Sequence, residues 1–496
     1  MSGHVEVAIV GAGFAGIATA IELREAGHEI AIVERASGVG GTWRENVYPG
    51  VACDVPSHVY SLQRHPNPRW SREHAPGGEI RAYLEDVVAR EGLGPVIRCG
   101  SALTAASWDE DAARWRLEFS GGGPASADVL VLAAGRLTEP RIPEVAGLAT
   151  FPGPVVHTAR WDPSLSGDLA GRRVAVVGTG ASAVQLVPEL VRRGARVTLF
   201  QRSPAWILPR GGRAYTTAEQ DAFAADPTLI ERLRGELTAD DGARFAARSG
   251  EPDAAARVVA AAHEHLVAQV ADPALRAALT PDSPFGCKRV LLSDDFYPAV
   301  ASDAVTLEPS ALERVEGGAL VAASGVRHEG HDLLVLATGF ETARQPYADL
   351  VRGEAGDTLA EHWAGGMSAA ASTVVAGFPN LFIIGGPHTA LAYTSSLFVL
   401  EAQAAFVRRA LARRAEHGGI LRTDPAAEAA DTADVARRAA GRPWTAGCRT
   451  WYVDERSGRV SVLWPGTVGE FAQRMRRADE RVFATAAVAA TRGGAG

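Results

Sequence analysis

A short apolar run that closes on a glycine-rich turn occurs twice in this chain. Val5–Val10 runs into GAGFAG and Val174–Val177 runs into GTGASA, and a segment that reads as helix follows each turn. Few folds accommodate that arrangement. A glycine turn between strand and helix belongs to a buried parallel sheet, and the free N–H groups at the helix start are where a pyrophosphate binds. In the first copy Gly11 permits the turn, Gly13 lets the backbone approach a phosphate, and Gly16 lets helix and strand pack; the helix reads as amphipathic to Ala26. IAIV and Glu34 follow, and a carboxylate there can accept hydrogen bonds from both ribose hydroxyls. In the second copy Gly178, Gly180 and Ala183 hold the small-residue positions, and Gln201, Arg202 and Ser203 stand where Glu34 stood. A carboxylate would repel a 2′-phosphate, whereas a guanidinium binds it with paired charge-assisted hydrogen bonds. The alternative for Arg202 is a solvated surface arginine. Together the two sites predict a flavoprotein in which NADPH reduces FAD.

Composition limits what that flavoprotein passes its electrons to. The chain has 496 residues, enough for two or three domains of roughly 100–200 residues each. Its net charge of −8 argues against nucleic acid as a partner. No apolar stretch approaches the ~20 residues of a membrane span, and the chain enters its first strand without a charged leader, so no membrane association and a cytoplasmic location are expected. Cys53, Cys99, Cys287 and Cys448 lie far apart with no CxxC pair. That spacing disfavours a disulfide framework, a metal site and a dithiol redox centre. A disulfide reductase is thereby set aside, and oxygen becomes the expected electron acceptor.

Between the two turns lies Phe151–Asp162, FPGPVVHTARWD. Phe151, Gly153, His157, Trp161 and Asp162 match every fixed position of FxGxxxHxxxW[PD], and with this segment the chain resembles the Baeyer-Villiger monooxygenases. The resemblance implies an α/β fold of two Rossmann-like dinucleotide-binding domains, for FAD and NADP, with a helical insert in the second. It divides the chain into residues 1–150 for the first part of the FAD domain, 151–170 for the fingerprint linker, 171–340 for the NADP domain with its insert at about 215–280, and 341–496 for the rest of the FAD domain and a carboxyl-terminal segment. It implies conversion of a ketone to an ester or lactone with NADPH, O2 and a C4a-peroxyflavin. N- or S-oxygenation is the alternative, and a non-catalytic flavin- and NADPH-binding protein is a remote one.

The same resemblance suggests site residues. Gly40–Ser61 looks like the family's flavin-contacting loop, which puts Trp43 and Tyr60 beside the isoalloxazine and Asp54 at the active-site aspartate. Ala52 stands where the family often has arginine. FGCKRVLLSDDFYP, Phe285–Pro298, resembles the Lys-Arg segment, in which Lys288 would hold the 2′-phosphate with Arg202 and Arg289 would be the catalytic arginine, paired with Asp54. Lys288 is the one lysine among 50 basic residues, so its retention at this position is notable. His157 would either couple cofactor binding to domain movement or anchor the linker. Trp444–Gly466 looks most like the hydroxyacetophenone-type branch; Trp444, Trp451 and Trp464 would shape the pocket or fill core. The insert reads as a cavity wall or a solvated cap, with His263 and His265 on its surface.

Overall fold

The computed structural model describes residues 3–448 and 450–484. Two sheets with parallel cores organise it, each built on one glycine turn, and the first also takes in the antiparallel strands Leu103–Asp109 and Arg114–Phe119. In the first, the strand His4–Val10 lies between Ile30–Val33 and Ser126–Leu132, and Leu381–Ile383 adds to the far side of Ser126–Leu132 with Ile383 opposite Leu132. The carboxyl-terminal part of the chain therefore completes the sheet that the amino-terminal part begins. These strands are near-continuous Val, Ile, Leu and Ala, as strands buried on both faces require. In the second sheet Val305–Glu308, Arg196–Phe200, Arg173–Val177, Leu333–Leu336 and Val155–His157 run parallel in that order. The Val155–His157 part of the fingerprint segment is thus an edge strand of the second sheet, with His157 opposite Leu336.

The helix after the first turn, Phe14–Glu25, is not amphipathic as its sequence suggests. Nearly every residue from Phe14 to Leu23 is buried. Its outer side is covered by the helix Leu397–Ala412, so both of its faces are interior. A three-stranded antiparallel sheet, Leu312–Glu316, Ala319–Ala322 and Arg327–His328, packs against the second unit.

Five helices fill the region between the second strand pair and the Lys-Arg segment: Thr217–Ala225, Pro227–Thr238, Asp241–Arg248, Pro252–Gln269 and Pro273–Leu279. Local chemistry starts them. Thr216 and Glu219 form a reciprocal capping box, Asp226 and Asp272 each accept a backbone N–H, and proline occupies the first turn of three of these helices; each cap is worth ~1 kcal/mol.

Two sequence expectations fail here. Cys287 and Cys448 form a disulfide, with their Cα atoms 6.1 Å apart across a sequence separation of 161 residues; distance along the chain set no limit once both segments met over the insert. His265 is buried rather than superficial, because its Nε2 meets the Ser293 carbonyl at 2.8 Å and its ring packs on Tyr297. His263 is exposed. Trp444 and Trp464 are core residues, and Trp451 is partly buried against that core.

Candidate active site

Steric demand explains both glycine turns. Gly11 and Gly178 have φ of +109° and +110°, and a Cβ on either would collide with the carbonyl of Ala133 or Ala337 on the neighbouring strand. A Cβ on Gly16 would overlap the Gly11 carbonyl, and Gly180 opens onto free space. The helices Phe14–Glu25 and Ala181–Arg192 have no side-chain cap at their amino termini, leaving those N–H groups available to a ligand. Ala183 is fully buried beneath the second turn. Glu34, at the end of its strand, is fixed by backbone donors from Ala12 and Ala36, each at 2.7 Å. These cradles fit an FAD and a second dinucleotide.

The second strand end is cationic. Lys288 Nζ donates to Ser203 Oγ at 2.7 Å, and Thr179 Oγ1 donates to the Ser203 carbonyl at 2.8 Å. Burial and then the charge of Arg202 lower the Lys288 pKa below its usual value. Two neighbouring cations around a hydroxyl, with Arg202 exposed, make a receptor for a dianion.

In the flavin-loop region Trp43 Nε1 donates to Tyr60 Oη at 3.2 Å, their rings meet edge to face, and Phe14 packs on Tyr60. Asp54, a few residues before Tyr60, accepts from Arg289 Nε at 2.7 Å. The two side chains are 30% and 26% exposed, so the pair is open on one side. That is its only hydrogen bond to Arg289 among the described residues, leaving both Nη groups free of protein partners. Burial works to raise the Asp54 pKa, but Arg289 and Arg210 outweigh it and hold the carboxyl below its ordinary range; Asp54 in turn pushes the Arg289 guanidinium up.

Some contacts here have no local sequence signal. Arg210 donates to the Cys53 carbonyl at 3.1 Å and puts a second positive charge beside Asp54, where Ala52 offers none. Gln185, on the helix of the second turn, donates to the Ala52 carbonyl and accepts from Tyr48 Oη, each at 2.9 Å. A Cβ on Gly50 would come within 2.6 Å of the Gln185 carbonyl. The loop that carries Asp54 is thus docked on the helix of the other dinucleotide site.

Among the described residues none of the fingerprint residues forms a hydrogen bond or ion pair with Arg289 or Asp54. Phe151 is core, and a Cβ on Gly153 would come within 2.6 Å of the Asp332 carbonyl. His157 accepts the Ala159 N–H at Nδ1, and burial with the nearby Arg160 pushes its pKa down to about 4 despite a backbone contact from Gly339. Trp161 donates to Ser166 Oγ and Asp162 caps Ser164. Arg160, outside the fixed positions, ties the segment to Glu45 and to the Thr138 carbonyl. Among the described residues no cluster of His, Cys, Asp or Glu is suited to a metal, and no helix is long and apolar enough to cross a membrane.

Two dinucleotide cradles and an arginine–carboxylate pair, without a dithiol, fit an FAD-dependent, NADPH-consuming monooxygenase. Comparison with known proteins gives the family. The pyridine nucleotide-disulphide oxidoreductase family model matches residues 5–228. A Baeyer-Villiger monooxygenase of Streptomyces coelicolor is 44% identical over 480 residues, covering 96% of this chain and 92% of that protein. One from Pseudomonas aeruginosa is 38% identical over 485 residues, covering 97% and 91%. Among solved structures, oxidized steroid monooxygenase bound to NADP superposes with a TM-score of 0.86 at 29% identity over 98% of this chain and 99% of that one. Cyclohexanone monooxygenase from Rhodococcus sp. Phi1 bound to NADP+ gives 0.85 at 26%, covering 96% and 97%. The chain belongs to the Baeyer-Villiger monooxygenase family, whose reaction uses NADPH and O2 to oxygenate a ketone.

Proposed function

We propose that Arg289 and Asp54 are the catalytic residues of this ketone oxygenation. The observation that carries the reading is the Nε–Oδ2 bond of 2.7 Å, which anchors the guanidinium by one edge and leaves its Nη groups for a substrate oxygen. When bound, FAD supplies the oxygen-activating redox chemistry. Arg289 holds a permanent positive charge where the ketone oxygen becomes anionic as its carbon turns tetrahedral, because a guanidinium does not lose its proton. Asp54 fixes the plane of that guanidinium and tempers its field. Gly11, Gly13, Gly16 and Glu34 hold the FAD, with Trp43 and Tyr60 beside its ring system. Gly178, Gly180 and Ala183 take the NADP pyrophosphate, and Arg202, Ser203 and Lys288 its 2′-phosphate. Sheet membership supports assigning residues 1–150 and 341–496 to the FAD unit and 171–340 to the NADP unit, and it joins the strand Val155–His157 of the 151–170 linker to the sheet of the NADP unit.

The likeness of Trp444–Gly466 to the hydroxyacetophenone-type branch belongs to the same proposal and favours aryl ketones. A cytoplasmic location belongs to it too and rests on the demand for NADPH; the Cys287–Cys448 disulfide weighs against it, since cytosolic thiols are mostly kept reduced.

The test is to reduce the purified holoenzyme with NADPH, admit oxygen, and add cyclic, linear and aryl ketones while the flavin spectrum and the products are followed. Esters one oxygen heavier than the ketone support the reading. Turnover of thioethers or amines with no ester from any ketone overturns it.

A further inference from the structure

Three neighbouring strands of the first sheet end level with one another. Val10 and Ile383 both lie opposite Leu132, so the turns that follow, at Gly11, Ala133 and Gly385, surround one crevice at the carboxyl end of the sheet. Parallel α/β sheets bind their ligands at that end. Arg136 stands on the turn of the middle strand. Its Nη1 donates to the Gly385 carbonyl at 3.3 Å and to Thr389 Oγ1 at 3.1 Å, both on the segment that follows Leu381–Ile383.

Those two acceptors are themselves fixed. Gly385 donates its N–H at 3.0 Å to Oε1 of the fully buried Gln403, whose Nε2 donates to the carbonyls of Ser372 and Ile383. Thr389 is fully buried as well; its hydroxyl donates to the Gly386 carbonyl at 2.6 Å and its N–H to the Val462 carbonyl at 3.0 Å. One edge of the guanidinium therefore rests on a rigid platform. Nε is enclosed without a partner, whereas Nη2 is neither bonded nor enclosed.

The charge on this group is uncompensated. Among the described residues no carboxylate pairs with Arg136, whereas Arg289 has Asp54. Burial pushes the Arg136 guanidinium down to about 10, which still leaves it protonated at neutral pH. A cation held partly out of water is unfavourable unless something pairs with it, and the open Nη2 is where a ligand can do so.

We propose that Arg136 supplies the counter-charge for the ring system of FAD when NADPH reduces it. Hydride transfer carries two electrons and one proton from NADPH to the ring and leaves NADP+, so the ring gains one negative charge unless a second proton follows. A fixed cation at the carboxyl end of the FAD sheet stabilises that anion and raises the reduction potential. The FAD pyrophosphate is the poorer match, because the Gly11 turn and the free N–H groups of Phe14–Glu25 already serve it. The inference rests on FAD in the first cradle and is independent of the roles proposed for Arg289 and Asp54.

The experiment measures three quantities without ketone: the two-electron reduction potential of the bound flavin, the Kd of oxidised FAD, and the pH titration of the reduced-flavin spectrum. Arg136→Met should bind oxidised FAD within about threefold of wild type but reduced FAD about tenfold more weakly, which lowers the potential by about 30 mV. Its reduced flavin should take up the second proton at a higher pH than wild type, and Arg136→Lys should lie between the two. An unchanged potential, or an equal loss of affinity for oxidised and reduced FAD, overturns the proposal, since the cation would then serve the pyrophosphate or the fold alone. Should Arg136→Met not retain FAD, Thr389→Val decides. It removes one of the two acceptors of Nη1 and keeps the cation, so the potential should fall in the same direction; no change overturns the proposal. A potential that depends on Arg136 in an enzyme that oxygenates no ketone would overturn the ketone reading alone, and ester formation with a potential indifferent to Arg136 would overturn this inference alone.

Discussion

Removing Arg289 tests the reaction chemistry most directly. Its guanidinium is the charge nearest Asp54 and makes no other protein hydrogen bond among the described residues, so Arg289→Ala deletes the donor without releasing a second structural contact. Loss of one oxyanion donor costs ~10²–10³ in rate, or ~3–4 kcal/mol. Hydride delivery to the flavin precedes formation of the tetrahedral adduct and should stay within about threefold of wild type. NADPH is then still consumed while ester formation collapses and hydrogen peroxide accumulates. Asp54→Ala should also lose rate, since nothing else fixes the guanidinium plane. Combining the two should cost less than the sum of the single losses, with a coupling of ~1–3 kcal/mol. The pair has a pH signature as well. Burial works to raise the Asp54 pKa, and the neighbouring arginines more than reverse that, so the folded value lies below the ordinary 3.8. A carboxylate with a depressed folded pKa contributes stability above its unfolded pKa and loses it as pH falls through the folded one. Wild-type ester formation should therefore show no titration of Asp54 above pH ~5. Arg289→Ala leaves burial with less opposition, so the folded pKa of Asp54 rises and the acid-side loss of stability that Asp54 causes should shrink or reverse in that variant. Ester yield equal to wild type in Arg289→Ala, or strictly additive single and double variants, would refute the reasoning.

Lys288→Met should raise the KM for NADPH by about 10- to 100-fold and leave that for NADH nearly unchanged, because it removes one of two cations around Ser203; steady-state kinetics with both cofactors decide it. His58, His157, His331 and His388 are buried, and burial is the largest cause that pushes each down to about 4. The folded state then binds fewer protons than the unfolded one, so stability should be fully present above pH ~6.5 and decline toward pH 4, and His157→Gln should flatten that slope in a Tm-against-pH series. Denatured, unreduced protein should titrate two thiols, Cys53 and Cys99, and four after reduction. Cys448→Ser should lower stability by roughly 2–4 kcal/mol, read from chemical denaturation.

What the sequence discloses follows from the range of the interactions concerned. The glycine turns are legible because Gly11 and Gly178 satisfy a requirement set by their own φ angle and the adjacent strand. Glu34 and Arg202 are legible because each follows its turn at a fixed strand–helix–strand distance. Asp54 and Arg289 come only from family resemblance, since 235 residues separate them and no periodicity relates them. Arg136 has no signal at all. Its lack of a counter-charge exists only once the segment of Gly385 and Thr389 meets it, and in a chain with a single lysine one more arginine is inconspicuous. The Cys287–Cys448 bond and buried His265 fall in the same class, because each depends on how the insert settles against a distant segment.

The docking of the Asp54 loop on the helix that carries Gln185 has a consequence for when the enzyme is competent. Asp54 belongs to the loop after the first dinucleotide turn, and Arg289 to the segment that also carries Lys288. Gln185 grips the backbone at Ala52, two residues from Asp54. On the roles proposed for Arg289 and Asp54, the charged pair would work as a coincidence detector. It would assemble only while the two cradles are in register, and a molecule sprung apart at this seam would hold both nucleotides and yet lack the proposed oxyanion site.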